Sequence, residues 1–145
     1  KGIKRRFQYV IERDDFLYID DYAHHPNELK AIISSVRNLY SNRKITAIFQ
    51  PHLYTRTQDF MAEFAQELSI VDSLILLPIY PARELPIEGV TSGALLQKIN
   101  HPDAICVSKS EVVENLKQRE LDILLTLGAG DIDQLVKPIY ELYGQ

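Results

Sequence analysis

The chain has one cysteine, Cys106, in 145 residues. A single thiol excludes a disulfide framework and cannot build a zinc cluster. There is no excess of basic charge: 16 Lys and Arg face 20 Asp and Glu, a net charge of -4. That balance argues against a broad surface for duplex nucleic acid. The longest apolar run, residues 70–80, is interrupted by Asp72, Ser73 and Pro78, which makes it too short and too broken to span a membrane. No signal-peptide pattern leads the sequence. Low-complexity tracts, linkers and internal repeats are absent, so residues 1–145 read as one domain. Methionine occurs only at Met61, and the chain opens on Lys-Gly-Ile-Lys-Arg-Arg; the expectation is a piece excised from a longer protein.

What is present is an ordinary globular composition, 46% hydrophobic and 25% charged, able to bury roughly two-thirds of its unfolded surface without staples. Residues 7–20 alternate apolar and polar around Arg13-Asp14-Asp15, the pattern of a β-hairpin. Apolar positions Leu29, Ile32, Ile33, Val36 and Leu39 have helical spacing after Pro26. Strand-like runs then alternate with helical ones: strands over 44–50, 73–77, 104–107 and 123–127, and helices over 57–70, 92–99, 110–119 and 131–143. Such alternation predicts an α/β fold, a Rossmann-like and mainly parallel sheet with helices on both faces, preceded by an N-terminal hairpin. Ligands of such sheets bind at the carboxyl ends of the strands. The loops to inspect are therefore 20–26, 50–57, 78–89 and 128–131.

The first of these, Asp20-Asp21-Tyr22-Ala23-His24-His25-Pro26, brings together two carboxylates and two imidazoles. They suit a metal, a ribose or acid–base work, or else Asp20 or His25 only caps the helix. In the second loop Arg56 can grip a carboxylate with a planar fork of donors, or lie free on the surface, and Thr57 reads as the helix N-cap. In Gly128-Ala129-Gly130-Asp131 the favoured reading is a helix cap by Asp131, the alternative a close backbone approach to a ligand. The proline-rich loop 78–89 is long enough to be functional, although Arg83 and Glu84 also read as a solvated pair, and His101 as a turn residue. No His-x-x-x-His spacing occurs, so a two-imidazole metal site would have to recruit His52. A metallohydrolase using Asp20, Asp21, His24 and His52 and a non-catalytic nucleotide-binding module both stay open on the residues alone.

Taken together and in order, KRRF ending at Phe7, DDYAHHP at 20–26, FQPHLYTRT at 49–57, PIYPARELPI at 78–87 and LTLGAGDI at 125–132 resemble the carboxyl-terminal domain of the Mur ligases. These are ATP-dependent amide ligases of peptidoglycan precursor synthesis, and the likeness is strongest to their alanine-adding members. The resemblance implies the third domain of a cytoplasmic, three-domain enzyme, with partners UDP-N-acetylmuramic acid, L-alanine, ATP and the amino-terminal and central domains, and with neither nucleic acid nor membrane. Magnesium ligands and the phosphate-binding loop are implied for the central domain. No G-x-x-x-x-G-K-[ST] occurs in this chain, so the fragment alone is expected to be inactive.

Residue by residue, the resemblance implies that Arg6 reaches toward the nucleotide and that Asp20 and Asp21 contact its ribose. Tyr22 and His24 lie beside the phosphate and the incoming amino acid, Arg56 pairs with that amino acid's carboxylate, and Asp131 faces the substrate. His24 and Arg56 are the implied catalytic pair, and no metal ligand is assigned. Leu53 stands where many alanine-adding relatives carry a second arginine, and Arg83 where many carry glycine. A ligase that recycles a murein tripeptide shares the DD-aromatic-AHHP loop and is the rival within the family.

Overall fold

The computed structural model describes residues 5–101 and 103–144. The Lys-Gly start and the Pro102 half of the expected turn at His101 lie outside the described residues. Among those described, no helix is long and apolar enough to cross a membrane.

The hairpin expected at the start consists of β1 (Gln8–Arg13) and β2 (Phe16–Asp21), antiparallel to one another. The chain continues through α1 (Pro26–Leu39), β3 (Ile45–Phe49), α2 (Tyr54–Asp59), α3 (Met61–Leu68), β4 (Ser73–Leu76), α4 (Ser92–Lys98) and β5 (Ala104–Cys106). It ends with α5 (Val112–Lys117), β6 (Ile123–Leu127) and α6 (Val136–Tyr143), α5 and α6 each entered through a 3-10 turn. One six-stranded sheet has the order β1-β2-β6-β3-β4-β5, and every pairing except β1 with β2 is parallel.

Strand parity sorts the core into two layers. Leu17, Ile19, Ile45, Ala47, Phe49, Leu74, Leu76, Ile123, Leu125 and Leu127 pack under the apolar stripes of α1, α3 and α4. Phe16, Tyr18, Ile48, Ile75, Leu77 and Leu124 pack under α5, α6 and the turn before it. Burial on both faces explains why β3 and β6 read as continuous apolar runs rather than alternating ones. A bulge between Tyr9 and Ile11 switches parity within β1, so Tyr9 packs against the first layer and Ile11 in the second.

Three local expectations are corrected. Thr57 does not cap a helix: the helix begins at Tyr54, Thr57 is buried inside it, and its hydroxyl donates to Leu53 O at 2.7 Å. The expected single helix over 57–70 is two helices broken at Phe60. Asp131 is not a cap either, because Gly130 precedes the 3-10 turn and no side chain caps it.

Candidate active site

β2, β6 and β3 lie side by side in parallel, so their carboxyl ends deliver the loops after Asp21, Leu127 and Phe49 to one edge of the sheet. The two adjacent aspartates of β2 part company there, as alternation along a strand requires. Asp20 points to the second core layer and is 3% exposed. Arg5 grips it with two bonds, Nε to Oδ2 at 2.7 Å and Nη2 to Oδ1 at 3.0 Å. Thr126 donates to the same carboxylate at 2.6 Å, and Tyr18 completes the chain through a 2.9 Å bond to Thr126.

Asp21 goes the other way. Its Oδ1 accepts from Ala23 N at 2.9 Å and its Oδ2 from Phe7 N at 2.7 Å. Burial pushes its carboxyl above the usual value, although those two backbone donors oppose the shift. Asp21 opens onto a cavity of about 360 Å³ that Arg6, Phe7, Asn27 and Glu28 also line. Tyr22 is half-exposed, with the Arg5 guanidinium carbon 5.5 Å above its ring and its ring meeting His24 edge-on.

The chain then turns into α1. Of the two expected caps, Asp20 is not one, whereas His25 is the N-cap residue of that helix; Glu28 at the third helical position closes the capping box, its Oε1 accepting from His24 N at 2.9 Å and His25 N at 3.1 Å. Burial opposes this, yet the two donors and the two imidazoles hold Glu28 below the ordinary carboxyl value. His24 Nδ1 lies 2.9 Å from Tyr22 O. A carbonyl can only accept, so Nδ1 bears a proton, and in the neutral ring Nε2 is the nitrogen with the lone pair.

A second loop meets this one. The His24 and His52 rings are 5.9 Å apart, and Arg56 Nη1 donates to His52 Nδ1 at 3.0 Å and to His52 O at 3.2 Å. His52 is thus the tautomer protonated at Nε2. Burial first, then Arg56 and His24, lower its pKa. Arg56 Nε and Nη2 have no hydrogen-bond partner among the described residues. Tyr80 lies on His52 with ring planes 9° apart.

Asp131 accepts from Gln50 Nε2 at 2.7 Å and Lys109 Nζ at 2.8 Å. Burial alone would raise its carboxyl, but these donors bring it below the ordinary value. With Gln50, Tyr80 and Lys109 it lines a pocket of about 210 Å³. Glu84 does not form the solvated pair expected with Arg83; its carboxylate accepts from Thr55 N at 3.0 Å and Thr55 Oγ1 at 2.5 Å. His101 is more than a turn residue, since its ring bridges Val71 O and Asp103 N.

Sequence reasoning therefore brought His24 and Arg56 to one place and Arg6 and Asp21 to another, but it missed Arg5, Glu28, Tyr80 and Glu84. Only Glu28 carried a signal, its position three residues beyond His25 being that of a capping box.

The chain matches the family described as Mur ligase, glutamate ligase domain, over residues 5–130. The UDP-N-acetylmuramate–L-alanine ligase of Cytophaga hutchinsonii is 49% identical over 138 residues, 95% of this chain and 30% of that protein. The enzyme of the same name from Porphyromonas gingivalis is 53% identical over 140 residues, 96% of this chain and 31% of that protein. Among solved structures, the UDP-N-acetylmuramate–alanine ligase of Thermotoga maritima superposes with a TM-score of 0.74 at 26% identity, over 97% of this chain and 30% of that one. A murein peptide ligase of Psychrobacter arcticus shares the fold, with a TM-score of 0.74 at 18% identity, over 98% of this chain and 30% of that one. The chain spans about 30% of the length of the curated relatives it matches.

Proposed function

The chain belongs to the Mur ligase family, and from that premise we propose that it is the carboxyl-terminal domain of a cytoplasmic ligase that joins L-alanine to UDP-N-acetylmuramic acid at the expense of ATP. The names of the relatives at 49% and 53% identity support the substrate pair. One observation supports the domain's part in it: Arg56 rests by Nη1 on His52, whose ring is 5.9 Å from that of His24, and its Nε and Nη2 have no partner among the described residues.

Arg56 takes the alanine carboxylate through those donors, in the two-pronged geometry that suits a planar guanidinium. The alanine amine, once deprotonated, attacks the carbonyl carbon of the sugar's acyl phosphate; the amide C–N bond forms as the C–O bond to phosphate breaks and inorganic phosphate leaves. His24 receives the amine's proton at Nε2, the nitrogen left free by its Nδ1 bond to Tyr22 O.

The nucleotide ribose sits in the cavity beside Asp21 and Arg6. The fit is good there, because each Asp21 oxygen spends one lone pair on a backbone N–H and retains another for a ribose hydroxyl. Bound ATP supplies the phosphoryl group that activates the sugar carboxylate. Tyr22 lines the entry between ribose and amino acid. Asp20, spent on Arg5 and Thr126, serves the ribose by fixing the strand end from which Asp21 projects. Asp131 frames the substrate edge through Gln50. Magnesium ligation is assigned to the central domain, as the family resemblance implies. The isolated chain is expected to make no product.

The test is the steady-state dependence of the full-length enzyme on alanine, ATP and UDP-sugar, each varied separately, for wild type and Arg56→Ala. A lost charge-assisted contact is worth about 1.5 to 3 kcal/mol, roughly 10- to 150-fold on the alanine dependence. Arg56→Lys recovers part, since an ammonium lacks the planar fork. An unchanged alanine dependence returns Arg56 to the surface and removes the proposal's support.

A further inference from the structure

The grip proposed for Arg56 sits on a segment that does not hold itself. α2 has six residues and no side-chain cap of its own, and so short a helix is unstable without outside support. The residue before it, Leu53, has φ 75° and ψ 136°, a conformation that costs a branched residue free energy and persists only where neighbours enforce it.

The neighbours are on the loop after β4. Leu53 N donates to Tyr80 O at 2.8 Å, and Tyr80 N donates to Pro51 O at 2.8 Å, so the two loops pair as a short parallel bridge. The Tyr80 ring then covers His52, the residue on which Arg56 Nη1 rests. Four residues further on, Glu84 reaches back to the first turn of α2 and takes both the N–H and the hydroxyl of Thr55. Glu84 is thus the helix cap that the sequence of α2 lacks, delivered from another loop, one residue away from Arg56.

We infer that Glu84 is a positioning residue for amino-acid recognition: it fixes the first turn of α2, and with it the direction of the Arg56 guanidinium, without touching substrate. The inference rests on the proposed role of Arg56. It gives the loop 78–89 a function distinct from nucleotide or sugar binding, and it ties selectivity for the amino acid to a carboxylate that lies outside the pocket.

The experiment uses the full-length enzyme carrying Glu84→Ala, Glu84→Gln, Thr55→Val, Arg56→Ala and the Glu84→Ala/Arg56→Ala double substitution. Glu84→Ala raises KM for alanine about 3- to 10-fold, the size of a lost helix cap. It leaves KM for ATP unchanged and kcat within about twofold, because the cap biases only how well the grip is aligned. Glu84→Gln keeps one acceptor oxygen and recovers part of the loss, and Thr55→Val gives a smaller effect in the same direction. In the Arg56→Ala background, Glu84→Ala costs less than about twofold further, since the group it positions is gone.

The two readings fail separately. If Arg56→Ala weakens alanine while Glu84→Ala does not, the positioning inference falls and the Arg56 assignment stands. If Glu84→Ala and Arg56→Ala multiply, Glu84 acts by another route and the inference falls. If Arg56→Ala leaves alanine untouched, the underlying assignment falls first. A Glu84→Ala enzyme that loses alanine, ATP and melting temperature together reports general loosening and also overturns the inference.

Discussion

Gly130 is the position where one methyl group tests the architecture of the site. A Cβ built there would lie 2.5 Å from Gln50 Oε1 and 2.6 and 2.8 Å from Tyr80 ring and Cβ atoms, closer than packed atoms approach. In Gly130→Ala, both Tyr80 and Gln50 must give way. Overpacking of this kind costs about 1 to 3 kcal/mol. If Gln50 swings away, Ile132 N loses its 3.0 Å acceptor in a buried setting, which adds about 1 kcal/mol or more. A total of about 2 to 4 kcal/mol, against an unfolding entropy of about 0.3 kcal/mol per degree for a chain of this length, predicts a melting temperature lower by about 7 to 13 °C. Scanning calorimetry of the 145-residue chain measures it. Near-ultraviolet circular dichroism should change as well, because Tyr80 leaves its stacked place on His52. A Gly130→Ala chain that melts within about 2 °C of wild type refutes the reading that the second glycine of the turn exists to admit the Tyr80 ring and the Gln50 amide.

Two further outcomes follow from the charges. Asp20→Asn leaves Arg5 facing an amide in place of a carboxylate, and with Arg5 reaching solvent the loss is placed at the low end for a broken buried pair, about 3 kcal/mol by urea unfolding; a loss below about 1 kcal/mol shows that the Arg5–Asp20 grip does not hold the strand end. His52, lowered by burial and then by Arg56, makes the unfolded chain take up a proton first as pH falls. Stability therefore declines as pH drops below about 6.5 and levels off from this group once folded His52 is itself protonated. His52→Gln should flatten that segment of the melting-temperature profile, and an identical slope in the variant excludes His52 as its source.

The layered fold was readable because its strongest signals are local. Continuous apolar runs gave β3 and β6, period-2 alternation gave the hairpin, and helical spacing after Pro26 gave α1. The boundaries that failed are those set by distant partners. A Thr followed by acidic residues is a good N-cap pattern, and Thr57 offered one. The helix nevertheless starts at Tyr54 because Glu84, 29 residues along the chain, satisfies Thr55 N. Asp131 likewise looked like the cap of the last helix, but Gln50 and Lys109 from separate elements claim both of its oxygens.

The same distinction decides how far the candidate site could be read from residues alone. Two adjacent aspartates at a strand end look equivalent in a sequence, and both resemble ribose ligands. The pleat sends them to opposite faces. Asp20 then lands beside Tyr18 and Thr126 in the core under α5 and α6, where a carboxylate is tolerable only if a cation comes to it, and Arg5 does. Asp21 lands at the rim under α1, where backbone donors leave half of its lone pairs unused. The sequence thus announces which residue types gather at the sheet edge, whereas the parity of β2 decides which of them a ligand can reach. Arg56 shows the complementary case: among the described residues His52 occupies only its Nη1, which leaves Nε and Nη2 without a partner, and no local sequence pattern announces that.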